Sequence, residues 1–289
     1  MNNSTTTSSR LVTIETSDGV LLDGLLTEPP DARAAVLYLH GKGCNFYVGP
    51  GRFVPERSSL EDICHLSINM RCHDLGYTRP DVPAVDMPMT PGKDRPSPVA
   101  GGMWEVLADG HKDLGAAVRY LRDRGYERVF IAGHSSGGFY TADYCARDPD
   151  IAGRILLSPL TSNKTPLNIW FPTAEALDEA IAQARQLVAS GDGHRLIPLP
   201  TWFYAISASS LLERSEEADD AWMKAVSGSK APVLMIWGGG EGRSPSWARF
   251  WGDLPVEDKK HYVVEGADHL YLGFEDEVTQ VVDEFLQLH

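Results

Sequence analysis

Ser135 stands in the run Gly133-His134-Ser135-Ser136-Gly137, between a β-prone segment at residues 128–132 (RVFIA) and a segment that reads as a helix from about Gly138. A serine hydroxyl is a weak nucleophile until a base takes its proton. Glycines on both sides permit a strand-to-helix turn sharp enough to expose such a side chain in a strained conformation, and Gly138 lets the helix approach closely. The candidate base is His269, in Glu265-Gly266-Ala267-Asp268-His269, after a β-prone run at 261–264 and ahead of one last helix. Of the other histidines, His289 is terminal, His194 lies in a helical region and His261 begins a strand. The turn is expected to aim His134 away from the nucleophile.

An imidazole base needs a carboxylate to hold its tautomer and stabilise the imidazolium. Glu241 is the only carboxylate in the loop Gly238-Gly239-Gly240-Glu241-Gly242-Arg243, which follows the strand-like run VLMIW at 233–237. Three glycines leave room for a side chain longer than aspartate. Asp268 is the rival, with awkward geometry because it adjoins His269. A tetrahedral intermediate also needs two backbone N–H donors. Ser136, at the start of the helix, supplies one. The other is assigned to Lys42, with Gly43 second, in the loop His40-Gly41-Lys42-Gly43-Cys44-Asn45-Phe46-Tyr47 after the apolar run 34–39. The Lys42 side chain reads as solvated.

The elements that must position these groups follow from hydrophobic pattern. Residues 11–16 and 20–26 read as an antiparallel hairpin about Asp18-Gly19. Runs at 34–39, 63–69, 128–132, 154–157, 233–237 and 261–264 read as strands, the continuous apolar ones as strands buried on both faces. Helices are expected at 104–124 and 274–288. Strands alternating with helices argue for a mostly parallel α/β sheet. Residues 77–102 hold six of the 19 prolines and read as a long irregular loop. Between the strands at 154–157 and 233–237 the pattern is helical throughout, with Thr173 capping a strong helix at 173–190. The expected division is a polar tail at 1–10, an α/β core at 11–158 and 231–289, and a helical lid at 159–230. Trp170, Phe171, Trp202, Phe203 and Tyr204 in the lid either line an apolar acyl or alcohol pocket or pack the lid helices together. Packing is the reading for Trp222.

Composition narrows the function further. The net charge is −14, from 26 basic and 40 acidic residues, so neither nucleic acid nor an anionic membrane surface is an expected partner. No run of 18 apolar residues and no signal-peptide pattern is present in the sequence. Cys44, Cys64, Cys72 and Cys145 form no disulfide-framework pattern, which suits the cytoplasm. The pairs Cys64-His65 and Cys72-His73 lie about 26 Å apart along an extended strand, too far to share one tetrahedral ion, and no metal is expected.

Together, His40-Gly41 after a buried strand, the GHSSGG turn and the late GADH resemble the α/β-hydrolase superfamily over nearly the whole chain. The HGxGxNFY pattern at 40–47 also resembles small hydrolases related to siderophore esterases. The resemblance implies an α/β-hydrolase fold with a helical cap, a Ser–acid–His hydrolase, and no cofactor. The chain departs from the family pattern in Glu241 for aspartate, in Ser136 and Gly138, and in the Pro-rich loop before Trp104. The expected activity is cleavage of a bulky, lipophilic, small-molecule carboxylic ester or lactone by Ser135, Glu241 and His269. The alternatives are amide or C–C bond cleavage on the same triad, or a non-catalytic binding protein of the same fold.

Overall fold

The computed structural model describes residues 8–79, 99–202, 204–242 and 251–289. Its centre is an eight-stranded sheet in the order β1-β2-β4-β3-β7-β8-β11-β12. The strands are β1 (Ser8–Glu15), β2 (Leu21–Glu28), β3 (Ala34–Leu39), β4 (Ile63–Ile68), β7 (Arg128–His134), β8 (Gly153–Leu157), β11 (Val233–Gly238) and β12 (Lys259–Val264). β1 and β2 form the expected hairpin, with Gly19 at φ 80° in its turn. β2 meets β4 antiparallel, and all further pairings are parallel. β1 starts at Ser8, so residues 8–10, read as tail, are paired in the sheet against residues 26–28.

The continuous apolar runs are explained by two covered faces. In β3, Ala35, Leu37 and Leu39 pack with Leu114, Val118 and Leu121 of α2 (Gly110–Asp123) on one face. Ala34, Val36 and Tyr38 pack on the other with Phe53 of α1 (Pro50–Arg57) and with Val278, Val282 and Phe285 of α8 (Glu275–Leu288). α3 (Ser136–Cys145) and α7 (Ala221–Ser227) join α2 on the first face, where Phe139 and Trp222 stack 6.2 Å apart. Trp222 therefore packs against the α/β core and not among lid helices, and α7 belongs to the layer that covers the sheet.

Three other expectations are corrected. The segment at 77–102 is not wholly irregular: β5 (Tyr77–Thr78) pairs with β6 (Val99–Ala100), and residues 80–98 lie outside the described set. The helix expected from 104 begins at Gly110, after two short 3₁₀ turns at Gly102–Trp104 and Leu107–Asp109. The region between β8 and β11 is not all helical. It holds α4 (Leu167–Trp170), α5 (Ala174–Ala189), a two-stranded sheet of β9 (Leu196–Pro198) and β10 (Ala205–Ser207), and α6 (Ala208–Ser215). Three-residue strands give too short an alternation to be read from pattern. Thr173 caps α5 as expected, accepting the Ala176 N–H at 3.2 Å. These elements share their own apolar cluster, including Trp170, Phe171, Ala184, Ile197, Ile206 and Leu211. Among the described residues no helix is long and apolar enough to cross a membrane.

The parallel strands end in register, so the loops after β3, β7, β8, β11 and β12 emerge at one edge of the sheet. Gly115, within α2, has open space where a Cβ would stand, whereas a Cβ on Gly133 would sit 2.1 Å from the Gly137 carbonyl oxygen. Gly115→Ala is expected to raise stability by about 0.5–1 kcal/mol through a less costly helix. Gly133→Ala is expected to lower it by at least about 2 kcal/mol through backbone overlap. Urea unfolding of the two variants checks both signs.

Candidate active site

Ser135 has φ 57° and ψ −119°, a conformation that L-residues rarely adopt. It is held there from both sides: its N–H donates to Leu157 O at 2.9 Å, and its carbonyl accepts from Gly138 N and Leu160 N at 3.0 and 2.8 Å. The neighbouring glycines are required by contact. A Cβ on Gly137 would lie 2.6 Å from His40 O, and one on Gly138 would lie 2.7 Å from the Pro159 ring. Gly138 thus admits the loop after β8 as well as the helix itself. Ser136 is the first residue of α3, so its N–H has no intrahelical acceptor.

His269 and Glu241 meet at this edge. The Nδ1–H of His269 donates to Glu241 Oε2 at 2.9 Å, which leaves Nε2 as the ring's free nitrogen. Asp268 is engaged elsewhere, accepting the N–H groups of Leu270 and Leu272 at 3.0 Å. The glycines before Glu241 have a definite reason. Cβ atoms at Gly238 and Gly240 would fall 2.7–2.9 Å from the carbonyl oxygens of residues 266–268, so only glycine lets the acid loop lie against the histidine loop. Glu241 is almost fully buried, with its side chain 4 % exposed. Burial pushes its carboxyl upward, but the hydrogen bonds from His269 and Ser158 and the charge of His269 outweigh burial and hold it below its ordinary value.

Sequence reasoning missed two members of this network. The Ser158 hydroxyl donates to Glu241 Oε1 and accepts at 2.7 Å from the Tyr271 hydroxyl, whose oxygen also lies 3.1 Å from Ile236 O. Both residues have positive φ, 41° and 60°. The available signal was topological: Ser158 ends the strand between those that carry Ser135 and Glu241. His134 also joins this corner of the structure. Its Nε2–H donates to the carbonyl of His269 at 2.7 Å, and the two rings lie 4.7 Å apart. The side chain beside the nucleophile thus ties the elbow to the loop of the base.

The loop after β3 reaches the same place. A Cβ on Gly41 would stand 3.0 Å from Ser135 Cβ and 3.5 Å from its Oγ. The Gly41 carbonyl accepts from His40 Nδ1 at 2.7 Å and from Cys44 N at 3.1 Å, while His40 Nε2 accepts the Met70 N–H at 3.0 Å. In a trans peptide the N–H opposes the C=O, so fixing this carbonyl fixes the direction of the Lys42 N–H. The Lys42 side chain is not solvated. Its Nζ donates to Gly102 O at 2.5 Å and to Glu105 Oε2 at 2.7 Å. Of the aromatic candidates, Trp170 and Phe171 are buried in the insertion's cluster and Trp202 is 44 % exposed. Tyr204 makes edge contacts with Trp170 and Trp202 at 6.3 Å. Phe203 lies outside the described residues.

The serine aminopeptidase S33 family matches residues 96–214, a span that contains the elbow. Among solved structures, Est1E from Butyrivibrio proteoclasticus with ferulic acid bound is similar over 96 % of this chain and 98 % of its own, at 18 % identity and TM-score 0.68. An esterase from Pyrococcus furiosus is similar over 97 % and 91 %, at 17 % identity and TM-score 0.63. A hypothetical protein from Pseudomonas aeruginosa covers 100 % and 96 %, at 16 % identity and TM-score 0.69. No curated protein matches the sequence. The chain has the α/β-hydrolase fold.

Three buried histidines of this fold remain neutral. Burial holds His40 and His65 down to about 4 and His134 down to about 3. All three folded values lie below the unfolded value near 6.5. Their contribution to stability is therefore present above pH 6.5 and lost as the pH falls toward 4. Near pH 5.5 the three should make unfolding take up about three protons, and His65→Gln should remove about one of them. Urea unfolding free energies between pH 6 and 5 give that slope.

Proposed function

We propose that this α/β-hydrolase is a serine hydrolase that cleaves a carboxylic ester or lactone. The observation that carries the reading is the 2.9 Å hydrogen bond from His269 Nδ1 to the buried Glu241 carboxylate, at the sheet edge where Ser135 is held on its elbow. Ser135 Oγ attacks the substrate carbonyl as His269 Nε2 takes its proton. The N–H groups of Lys42 and Ser136 receive the oxyanion. His269 then protonates the leaving alkoxide, the acyl group stays on Ser135, and water activated by the same imidazole releases the acid. Glu241 holds the Nδ1–H tautomer and balances the imidazolium, while Ser158 and Tyr271 hold Glu241.

Trp170, Phe171, Trp202, Phe203 and Tyr204 are the residues proposed to meet a bulky lipophilic acyl or alcohol group. Ferulic acid in the similar Est1E supports an aromatic acyl component. The S33 aminopeptidase match supports amide cleavage as a second reading on the same groups.

A fluorophosphonate is expected to label Ser135 in the wild-type protein, and Ser135→Ala should be unlabelled, folded and slower by at least about three orders of magnitude. Glu241→Gln should lose at least roughly a hundredfold in kcat, Glu241→Asp should keep part of the activity, and Asp268→Asn should lose far less than Glu241→Gln. A panel of esters, lactones and anilides of graded size, followed by mass spectrometry, separates the ester reading from the amide one. A folded protein that neither reacts with the label nor turns over any member would be a binding protein.

A further inference from the structure

Glu105, the partner of the Lys42 side chain, has no part in the proposed reaction, yet its side chain is completely buried and carries two cations. Its Oε2 accepts from Lys42 Nζ at 2.7 Å and from Arg214 Nη2, and its Oε1 accepts from the Tyr140 hydroxyl at 3.0 Å. Lys42 belongs to the loop after β3, Tyr140 to α3, and Arg214 to α6 of the insertion. We propose that Glu105 is a positioning residue through which the insertion sets the loop that offers the Lys42 N–H to the oxyanion. The inference rests on the serine-hydrolase reading and assigns the insertion a part in the chemistry beyond lining a pocket.

The geometry supports a coupling in both directions. On the insertion side, Arg214 is buried beneath the Trp170 ring, 5.9 Å from its centroid, and donates from Nη1 to Asn163 Oδ1 at 3.0 Å. Asn163 is fixed by Glu217 through its own N–H at 2.7 Å and its amide at 2.6 Å. Glu213, the neighbour of Arg214, accepts the N–H groups of Leu107 and Ala108, just after Glu105, at 2.5 and 3.0 Å. On the catalytic side, the Lys42 side chain is anchored inward at Glu105 and Gly102 O, while the preceding peptide is fixed by His40 and Cys44. The backbone N–H of Lys42 is thus clamped between two anchors, one of them the insertion's counter-ion. Undocking α6 would remove one of the three donors that fix the Glu105 carboxylate, and with it a constraint on the group to which Lys42 is anchored.

An oxyanion donor acts on the transition state more than on bound substrate, so loosening it lowers kcat and spares KM. The test uses Glu105→Gln, and Lys42→Met as the variant that keeps the Glu105–Arg214 pair and so the fold. Arg185→Ala, which breaks an exposed ion pair of the same insertion with Glu216, serves as control. Turnover is divided by the fraction of sites titrated with fluorophosphonate, which removes any loss from misfolding. Both variants are expected to lose roughly tenfold to a hundredfold in kcat per active site at nearly constant KM. The double variant should be little worse than either single one, because one link is cut twice. Hydrogen–deuterium exchange is read on the same proteins without substrate: in Glu105→Gln, residues 40–46 and 204–215 should lose protection together. Unchanged protection at 40–46 overturns the coupling whatever the turnover. A change in KM alone, or additive kcat losses, overturns the positioning role. Coupled loss of protection in a protein that hydrolyses nothing supports the link and sinks the serine-hydrolase reading.

Discussion

The Ser135 elbow is a backbone conformation that the chain would not hold alone. Positive φ at a non-glycine residue costs on the order of 1–3 kcal/mol, and three backbone hydrogen bonds, to Leu157, Gly138 and Leu160, offset it. Those bonds need the ends of β7 and β8 and the start of α3 to meet without side chains between them. Gly133, Gly137 and Gly138 supply that absence, and Gly41 does the same for the loop that comes over from β3. The rest of the site is arranged around this close contact. Because the parallel strands end in register, Ser135, the Glu241 loop and the His269 loop emerge at the same end of the sheet.

Carboxylates buried at two places give the site its electrostatic character. Glu241 faces the base and is stabilised as an anion by His269, Ser158 and the Gly238 N–H. Glu105 lies among Lys42, Arg214 and Tyr140, and the charges of Lys42 and Arg214 overcome its burial and hold it down to about 2. Neither is exposed enough for water to replace its partners, so each stays ionised only while its neighbours remain in place. The three neutral histidines complement this pattern. His40 and His134 act as neutral hydrogen-bonding struts beside Ser135 and His269, and their low affinity for protons keeps extra positive charge out of this corner.

Much of this was legible from residue pattern. Ser135, Glu241 and His269 could be singled out as candidates because each follows a strand-like run, and the glycines around them announce tight backbone. The order of β3, β4, β7, β8 and β11 along the chain could be read from short, mostly apolar runs, because a strand covered on both faces is buried at nearly every position. The β9–β10 pair was not legible, since three residues carry no usable period. The limits of the insertion were not legible either: Trp222 looks the same in sequence whether it packs on a lid or on α3. The sequence by itself determined which residues could act as nucleophile, base and acid, and which backbone positions had to be glycine, since those requirements are local. Tertiary structure alone decided that Ser158 and Tyr271 hold Glu241, that His134 turns to the His269 carbonyl, and that Lys42 is anchored to Glu105 and through it to Arg214. Those partners are separated by tens to more than a hundred residues, and a hydrogen bond between them exists only once the packing of the sheet and the insertion has brought desolvated donors and acceptors together.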